Sequence, residues 1–245
     1  MKNHPMKNYL IATSLLAAVG FAGTSHAIDG VFEISESCAT SFGCFDGDSA
    51  GFPVTITESG SYRLTSNLTT GSANTTLINV NADNVSIDLN GYSLIGPVSC
   101  TGNGPTCSAS GDGDGINASG DNQLQVRNGF ISGMGDFGIS GGADVTVQQV
   151  TVTNNASTGI SLGDGLVKDC LVADNGGFGI AMNGLVIDNR VDNNGNAGLF
   201  GFGTGVTYGN NLFTSNNPGS SQVSGGVQIS QNMCGTSLIS VTPCP

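Results

Sequence analysis

Five Gly-Ile or Gly-Leu dipeptides recur along the second half of this chain. They are separated by 23, 21, 20 and 19 residues and begin at Gly115, Gly138, Gly159, Gly179 and Gly198. A period of about 20 residues is typical of a solenoid, in which each repeat buries its apolar face only against its neighbours. Because short β-branched runs and Asn/Gly turns fill the repeats, the pattern predicts an all-β chain, a single parallel β-helix of about eight coils.

Alignment of these repeats places similar side chains in columns. One predicted inward column contains Ile131, Val152, Val172, Val191 and Phe213, and a second contains Val126, Val147, Val167 and Val186. The Asn-rich turns at 154–155, 174–175, 193–194 and 216–217 form a third column. Since Asn accepts left-handed backbone and can hydrogen-bond to the same residue one coil away, these turns predict a ladder of amides.

The first 27 residues have the pattern of a secretory signal peptide. Lys2 and Lys7 precede an apolar run at 9–21, and small residues precede Ala27. The apolar run is shorter than the ~20 residues that a membrane span needs, and no other run approaches that length. We therefore expect a secreted, periplasmic or cell-surface protein that begins near Ile28 and has no membrane span.

The cysteines of an exported chain are expected to pair. Short sequence separations pair six of the seven as Cys38 with Cys44, Cys100 with Cys107, and Cys234 with Cys244. The first pair would tie an N-terminal cap at residues 28–54, and the second would close a loop ejected at 97–114. The third would tie a C-terminal cap on the β-helix of residues 55–245. Cys170 is left within a strand, which predicts a buried apolar side chain rather than a reactive thiol.

The charge of the mature chain excludes several classes of function. Both histidines and both lysines of the signal would be removed, which leaves Arg63, Arg127, Lys168 and Arg190 against 18 acidic residues. Without histidine, the chain has no imidazole base, no Ser-His or Cys-His pair and no His-ligated zinc. It also lacks the basic surface that nucleic-acid binding requires. Cations, glycans and other proteins are the partners that remain.

Three runs near the N-terminus carry a family resemblance. Residues 51–56 read GFPVTI, residues 60–68 read GSYRLTSNL, and residues 83–92 read DNVSIDLNGY. These runs resemble the right-handed parallel β-helix repeat proteins that bacteria export, a family within the pectate-lyase-like fold. The resemblance extends over roughly residues 28–234 and implies the fold, its handedness and export. It implies little about activity, because many members have no assigned reaction.

Enzymes of this fold mostly cleave or epimerise acidic polysaccharides, and one such class is compatible with this composition. The Gly-His-Gly of polygalacturonases and the Asp-Pro-His of mannuronan epimerases are both missing from the sequence. A calcium-assisted lyase instead needs a Lys or Arg base. Arg127 and Lys168 are predicted in one outward column, about 10 Å apart with Gln148 between them. One could serve as the base while the other holds a uronate carboxylate; the alternative is that both are solvated surface charges.

Two pairs of acids are candidate cation ligands, so calcium is the one cofactor that the sequence leaves open. Asp169 and Asp188 are predicted to stack about 5 Å apart on successive coils, in a column with Asn128 and Gln149. Asp112 and Asp114 lie in the run GDGDG at 111–115, which resembles half of a calcium loop. That run lacks the third acid and the closing Glu of an EF-hand.

These observations favour an exported, non-catalytic protein that binds a glycan or another cell-surface component. A strongly negative chain repels anionic glycans unless a cation bridges them. Two alternatives stay open: a calcium-assisted uronate lyase that uses Arg127 and Lys168, and a purely structural rod. Functional sites on solenoids often lie near insertions, which here means the loop at 97–114. Aromatic rings stacked on the outside would favour sugar binding, and the candidates are Tyr92, Phe137, Phe178 and Tyr208.

Overall fold

A computed structural model describes residues 30–244 of the chain, except residues 119, 121, 122, 238 and 239. The predicted signal at residues 1–27 and the predicted new terminus at Ile28 lie outside the described residues. Within the described part, no helix has the length and apolar character that crossing a membrane requires. The described residues form one helix, α1 (Glu36–Ser41), and 24 strands.

The strands are short and follow one another at close intervals. In chain order they are β1 (Val31–Ile34), β2 (Val54–Ile56), β3 (Gly60–Leu64), β4 (Leu68–Thr69), β5 (Ile78–Val80), β6 (Val85–Asp88), β7 (Ser93–Ile95), β8 (Cys100–Thr101), β9 (Thr106–Cys107), β10 (Ile116–Ala118), β11 (Gln125–Ser132), β12 (Ile139–Gly141), β13 (Val145–Thr153), β14 (Ile160–Leu162), β15 (Gly165–Lys168), β16 (Leu171–Ala173), β17 (Ile180–Ile187), β18 (Arg190–Asp192), β19 (Leu199–Gly209), β20 (Leu212–Thr214), β21 (Val223–Ser224), β22 (Val227–Gln228), β23 (Met233–Ser237) and β24 (Ser240–Pro243).

Parallel pairing stacks these strands into three faces. Face 1 contains β2, β5, β10, β12, β14, the first part of β17, the first part of β19, and β21. Face 2 runs from β1 through β3, β6, β11, β13, β15, β17 and β19 to β22. Face 3 contains β4, β7, the second parts of β11 and β13, β16, β18, β20 and β23. The eight strands of face 1 correspond to eight coils of a parallel β-helix, as predicted.

The strand registers confirm both predicted inward columns. Each residue of the Ile131 column and of the Val126 column pairs with the next member one coil away. All nine side chains are 0% exposed. Complete burial of a Val, Ile or Phe side chain contributes about 1.5–3 kcal/mol, so these columns hold the coils together.

The N-terminal cap and the coils share residues. β1 pairs in parallel with β3 and therefore already belongs to face 2. Helix α1 follows it and begins at Ser35, whose hydroxyl accepts a hydrogen bond from the Cys38 N–H at 3.2 Å. This bond satisfies one of the free N–H groups at the start of the helix.

All three predicted disulfides are present. Cys38–Cys44 ties helix α1 to the following loop, and Cys100–Cys107 joins the antiparallel strands β8 and β9. Cys234–Cys244 ties β23 to the residue after β24, which pairs with β23 in an antiparallel hairpin at the C-terminal end. Each bridge fixes a segment that the parallel coils do not hold.

The loop predicted at 97–114 leaves the coils and lies lengthwise against them, and we call residues 97–110 the strap. The Cys100 N–H donates to Oδ1 of Asn154 at 3.3 Å. Further along, the Gly104 N–H donates to Oδ1 of Asn193 at 3.2 Å, and the Asn193 amide donates to the Gly102 carbonyl at 2.8 Å. Because Asn154 and Asn193 belong to coils that are two turns apart, the strap ties those coils together.

The predicted asparagine ladder is confirmed, with one shift of register. Asn155, Asn175, Asn194 and Asn216 are 0% exposed, and each amide donates to Oδ1 of the next at 2.7–2.9 Å. The same Oδ1 atoms also accept backbone N–H groups of the preceding coil. The last turn is Ser215-Asn216 rather than the predicted Asn216-Asn217, since Ser215 has the left-handed backbone that begins the other turns.

A second ladder, which the sequence analysis missed, lies at the corner between faces 2 and 3. The Asn189 amide donates to Oδ1 of Asn211 at 3.1 Å, and the Asn211 amide donates to Oδ1 of Asn232 at 3.0 Å. Both ladders end on glutamine: Asn216 donates to Gln222 and Asn232 donates to Gln228. The longer glutamine side chain thus provides the acceptor that a further coil would otherwise supply.

We expect each buried asparagine of the ladder to contribute more to the stability of the fold than an exposed asparagine does. The Asn194 side chain donates to the Val172 carbonyl and to Asn216, and it accepts from Asn175. Asn194→Ala should therefore lower the free energy of unfolding by about 3 kcal/mol, because it leaves these groups buried without partners. Asn196→Ala, at an exposed position two residues later, is the control and should cost less than about 0.5 kcal/mol. Urea denaturation measures both, and equal losses would contradict a structural role for the ladder.

Candidate functional site

The two bases predicted for a lyase are both engaged in ion pairs. The register confirms that Arg127, Gln148 and Lys168 share one column. The Arg127 guanidinium lies 3.0 Å from Asp88, and the Lys168 ammonium lies 3.7 Å from Asp169. The column continues upward through Asp88, Arg63 and Glu33, and Arg63 pairs with Glu33 at 2.8 Å. These alternating charges belong to a cross-strand ladder on the outside of face 2, which accounts for Arg127 without a catalytic role.

The predicted column of Asn128, Gln149, Asp169 and Asp188 is a structural corner. All four residues have left-handed backbone, with φ between 54° and 60°. Short polar side chains are favoured there because they tolerate this conformation and replace glycine. Asp169 and Asp188 line a shallow groove of about 460 Å³ together with Gln149 and Arg190. Neither Arg127 nor Lys168 lines this groove, so the predicted lyase constellation is not brought together there.

Cys170 occupies the corner column of the second asparagine ladder. Its N–H donates to Oδ1 of Asn189, and its sulfur lies 3.2 Å from the Lys168 carbonyl and 3.7 Å from the Val147 carbonyl. The Asn189 amide contacts the equivalent carbonyls one coil later. Burial raises the pKa of the Cys170 thiol to about 11. The predicted inert, buried cysteine is therefore supported.

Cys170 should resist thiol reagents until the protein unfolds. Only a thiolate reacts rapidly with iodoacetamide, and a thiol with a pKa of about 11 is almost fully protonated at neutral pH. We expect no alkylation of the native protein at pH 7 and one label per chain in guanidinium, with mass spectrometry as the readout. Fast labelling of native Cys170 would show that the corner opens to solvent.

Acidic residues gather at the turn that precedes face 1. Asp114 is 3% exposed, and its two oxygens accept hydrogen bonds from the Phe137 N–H at 3.0 Å and the Asn117 amide at 2.8 Å. Burial raises the pKa of Asp114, and repulsion from Asp136 and Asp112 adds to the rise. Burial likewise raises the pKa of Asp136, with a further contribution from Asp112. The turn is thus a concentrated region of negative charge.

The predicted calcium ligands are distributed over two places in the structure, the corner of Asp169 and Asp188 and the turn of Asp112 and Asp114. Among the described residues, no group of three or more His, Cys, Asp or Glu side chains is arranged to hold a metal ion. Both carboxylate oxygens of Asp114 are already used to fix the turn. The run GDGDG is held in the turn before β10 by backbone hydrogen bonds to the turns of the neighbouring coils, including one from the Gly111 N–H to Gly135 and one from the Asp136 N–H to Gly113.

We expect Asp136→Asn to change the pH dependence of stability. A carboxyl whose folded pKa is raised binds its proton more tightly in the fold, so its contribution to stability falls as pH rises above the unfolded value of about 3.8. At pH 7, Asp136→Asn should therefore be more stable than the unaltered protein, and this advantage should vanish as pH falls towards about 4. Urea denaturation across that range tests it. Asp144→Asn, at an exposed site, controls for the removal of one charge, and an identical profile for both variants would contradict the expectation.

Three phenylalanines form a partly exposed cluster on face 1, which we call the aromatic ledge. The rings of Phe178 and Phe200 stack with centroids 4.7 Å apart, and Phe202 meets Phe200 edge-on at 5.6 Å. Phe202 is 47% exposed. Phe200 lies in an outward column that continues upward through Ala181, Ser161, Ser140 and Asn117 and downward to Ser224. The hydroxyl and amide groups of this column therefore lie above Phe200 of the aromatic ledge and are separated from it by one coil, that of the buried Ala181.

A local insertion raises Phe202 above the sheet. The register joins Met182 to Gly201 and Gly184 to Val206, so Asn183 faces the four residues 202–205. Beneath this bulge, Oδ1 of Asn183 is buried without a hydrogen-bond donor. An unsatisfied buried acceptor costs about 1–3 kcal/mol, and such costs are expected where a structure serves a function.

The aromatic candidates from the sequence divide into core and surface. Tyr208 is 7% exposed and packs edge-on against Phe213, so it belongs to the core. Tyr92 also packs against the core, whereas Phe178 forms part of the ledge and Phe137 lies partly buried at the same corner two coils above it. Phe200 and Phe202 were missed. The signal that could have found them is the run FGFGTG at 200–205, which interrupts the repeat with glycines.

A cavity of about 490 Å³ lies beneath the C-terminal hairpin. Its lining includes Tyr208, Val223, Gly226, Cys234 and Cys244. Apart from Tyr208, the described lining residues carry no ionisable side chain, because both cysteines are in the disulfide. The only ionisable side chain among the described lining residues is thus that of Tyr208, whose pKa is raised by burial.

Comparison with known proteins identifies the family. Residues 67–239 match the family model described as the right handed beta helix region. The chain belongs to this family, which confirms the right-handed β-helix that the sequence predicted. None of the curated proteins and none of the solved structures gives a match to the chain.

Proposed function

We propose that this β-helix is an exported, non-catalytic protein that binds a glycan along the outer surface of face 1. The observation that carries the proposal is the aromatic ledge, in which the partly exposed rings of Phe178 and Phe200 stack on each other and the exposed ring of Phe202 meets Phe200 edge-on. Aromatic rings provide large, rigid apolar surfaces, and the C–H face of a pyranose is an apolar surface of similar size.

The polar part of face 1 suits an extended ligand. Asn117, Ser140 and Ser161 occupy one outward column on three successive coils. Parallel strands are about 4.8 Å apart, so the column places hydrogen-bonding groups at regular intervals along the axis. A linear oligosaccharide could lie along this axis, with one sugar on the aromatic ledge and the next sugars beside the hydroxyl and amide groups.

Catalysis is the weaker interpretation because its proposed parts are separated and occupied. Arg127 and Lys168 contact Asp88 and Asp169 on face 2 and lie outside the groove that contains Asp188. A general base must reach its substrate proton within hydrogen-bond distance. Each base would first have to give up its carboxylate partner.

A purely structural rod does not explain the ledge. The coils require inward columns and buried amides, and neither depends on a bulge at residues 202–205. A bulge that exposes Phe202 leaves apolar surface in contact with water, which lowers the stability of the fold. Ligand binding is the role that would offset the stability lost by exposing Phe202.

Glycan binding should depend on Phe202 and not on a phenylalanine of equal exposure elsewhere. We would screen the mature protein on a glycan array and then measure affinity for the best oligosaccharide by isothermal titration calorimetry. Phe202→Ala should weaken binding by about tenfold or more, because one exposed stacking surface is lost. Phe130→Ala is the matched control, since Phe130 on face 3 is 48% exposed against 47% for Phe202. Equal affinity of both variants, or no binding to any glycan, would refute the proposal.

A further inference from the structure

The positive charges of the described chain are kept away from face 1. Arg63, Arg127 and Lys168 lie in the outward column of face 2, and Arg190 lies on face 3. Arg190 pairs with Asp192 at 2.8 Å, and the other three contact the carboxylates described above. The described part of face 1 therefore offers no cation to an anionic ligand.

Negative charges, in contrast, lie along both edges of face 1. Asp112, Asp114 and Asp136 precede its strands at one corner. Asp144 and Asp164 follow its strands at the opposite corner, and both are exposed. The outward column of Asn117, Ser140 and Ser161 lies between these two acidic edges.

Two of these acids, Asp136 and Asp164, lie within about two coils of the ledge. Backbone hydrogen bonds run from Ser157 to Asp136 and from Gly177 to Ser157, so Asp136 lies two coils above the turn of Phe178. Two coils correspond to about 10 Å. Asp164 is one coil above Gly184, which pairs directly with the end of the bulge that carries Phe202. At about 10 Å in water a single carboxylate attracts a cation by only about 0.4 kcal/mol, so the attraction requires several acids acting along an extended ligand.

The aromatic ledge favours the same sign of charge. The face of a phenylalanine ring carries partial negative charge and attracts an ammonium group within about 6 Å of its centroid. A sugar that carries an ammonium group could stack its C–H face on the rings and direct its charge to the rim or to the nearby carboxylates. A uronate would instead meet repulsion from both edges.

We propose that the glycan bound on face 1 is cationic, an amino-sugar polymer whose amines are free rather than acetylated. This inference rests on the proposed function and specifies its ligand class. Charge complementarity between the two acidic edges and the ammonium groups selects the ligand, while the aromatic ledge supplies the stacking surface. Neutral and acetylated sugars retain only the stacking, and uronates are repelled.

The test compares oligosaccharides that differ in charge. We would titrate hexamers of glucosamine, N-acetylglucosamine, glucose and galacturonate into the mature protein by isothermal titration calorimetry. The glucosamine hexamer should bind at least about tenfold tighter than its acetylated counterpart, and its affinity should fall as salt is raised. It should also fall when pH rises far enough to neutralise the sugar amines.

Two double variants test which acids cause the preference for the glucosamine hexamer. Asp136→Asn with Asp164→Asn should remove most of the preference for the glucosamine hexamer. Asp169→Asn with Asp188→Asn makes the same change of charge in the groove between faces 2 and 3 and should leave the preference intact. Circular dichroism checks the fold of each variant. Should the first pair fail to fold, Asp164→Asn alone tests the same edge, because its side chain is exposed.

Each outcome distinguishes this inference from the proposed function. If the acetylated and free hexamers bind equally and Phe202→Ala weakens both, the charge preference is wrong and glycan binding on the ledge stands. If both paired variants lose the preference equally, the attraction comes from net charge and not from face 1. If galacturonate binds best and only with calcium, the ligand is anionic and the inference is overturned. If no hexamer binds, the proposed function fails, and this inference fails with it.

Discussion

The hydrogen bond between identical asparagine side chains on successive coils is the interaction on which this structure depends. A buried amide must find partners, and at the corners of a solenoid the backbone turns away from regular strand pairing. Asn155, Asn175 and Asn194 solve this by donating to the next side chain while accepting from the previous coil. The arrangement works only if every coil brings the same residue to the same place. It therefore enforces the register that also aligns the aliphatic columns, and it needs the terminal acceptors Gln222 and Gln228 where the repeat stops.

The parts of the structure that repeat could be predicted from the sequence, and the parts that break the repeat could not. The period aligned Val147 with Val167 and Arg127 with Gln148 correctly because each coil must match its neighbour. It could not reveal Asp88 as the partner of Arg127, since Asp88 lies 39 residues earlier, before the long insertion. The period also missed the bulge at residues 202–205, because an insertion changes no inward position and leaves the following Val206 in the core.

The charged residues are distributed unevenly between the faces of the β-helix. On face 2, Glu33, Arg63, Asp88 and Arg127 alternate in one column, so each charge is neutralised by its neighbour across the strands. Cross-strand pairs of this kind stabilise a sheet modestly. Because the few basic residues are used in this way, the acids beside face 1 are left without cationic partners among the described basic residues, and burial with mutual repulsion raises the pKa values of Asp114 and Asp136. The excess of acidic over basic residues beside face 1 thus follows from the placement of the described basic residues on faces 2 and 3.

The bulge at residues 202–205 shows how a solenoid can place an aromatic ring on its surface without changing its core. Gly201 and Val206 stay in register with the coil above, while the residues between them extend outward and carry Phe202 to the solvent. Substitutions confined to this segment can alter the ledge without disturbing the inward columns or the ladders. The cost is local and consists of the unsatisfied Asn183 oxygen and one exposed ring. The surface formed by such a bulge can change while the register that supports it stays fixed, because the two depend on opposite sides of the same strands.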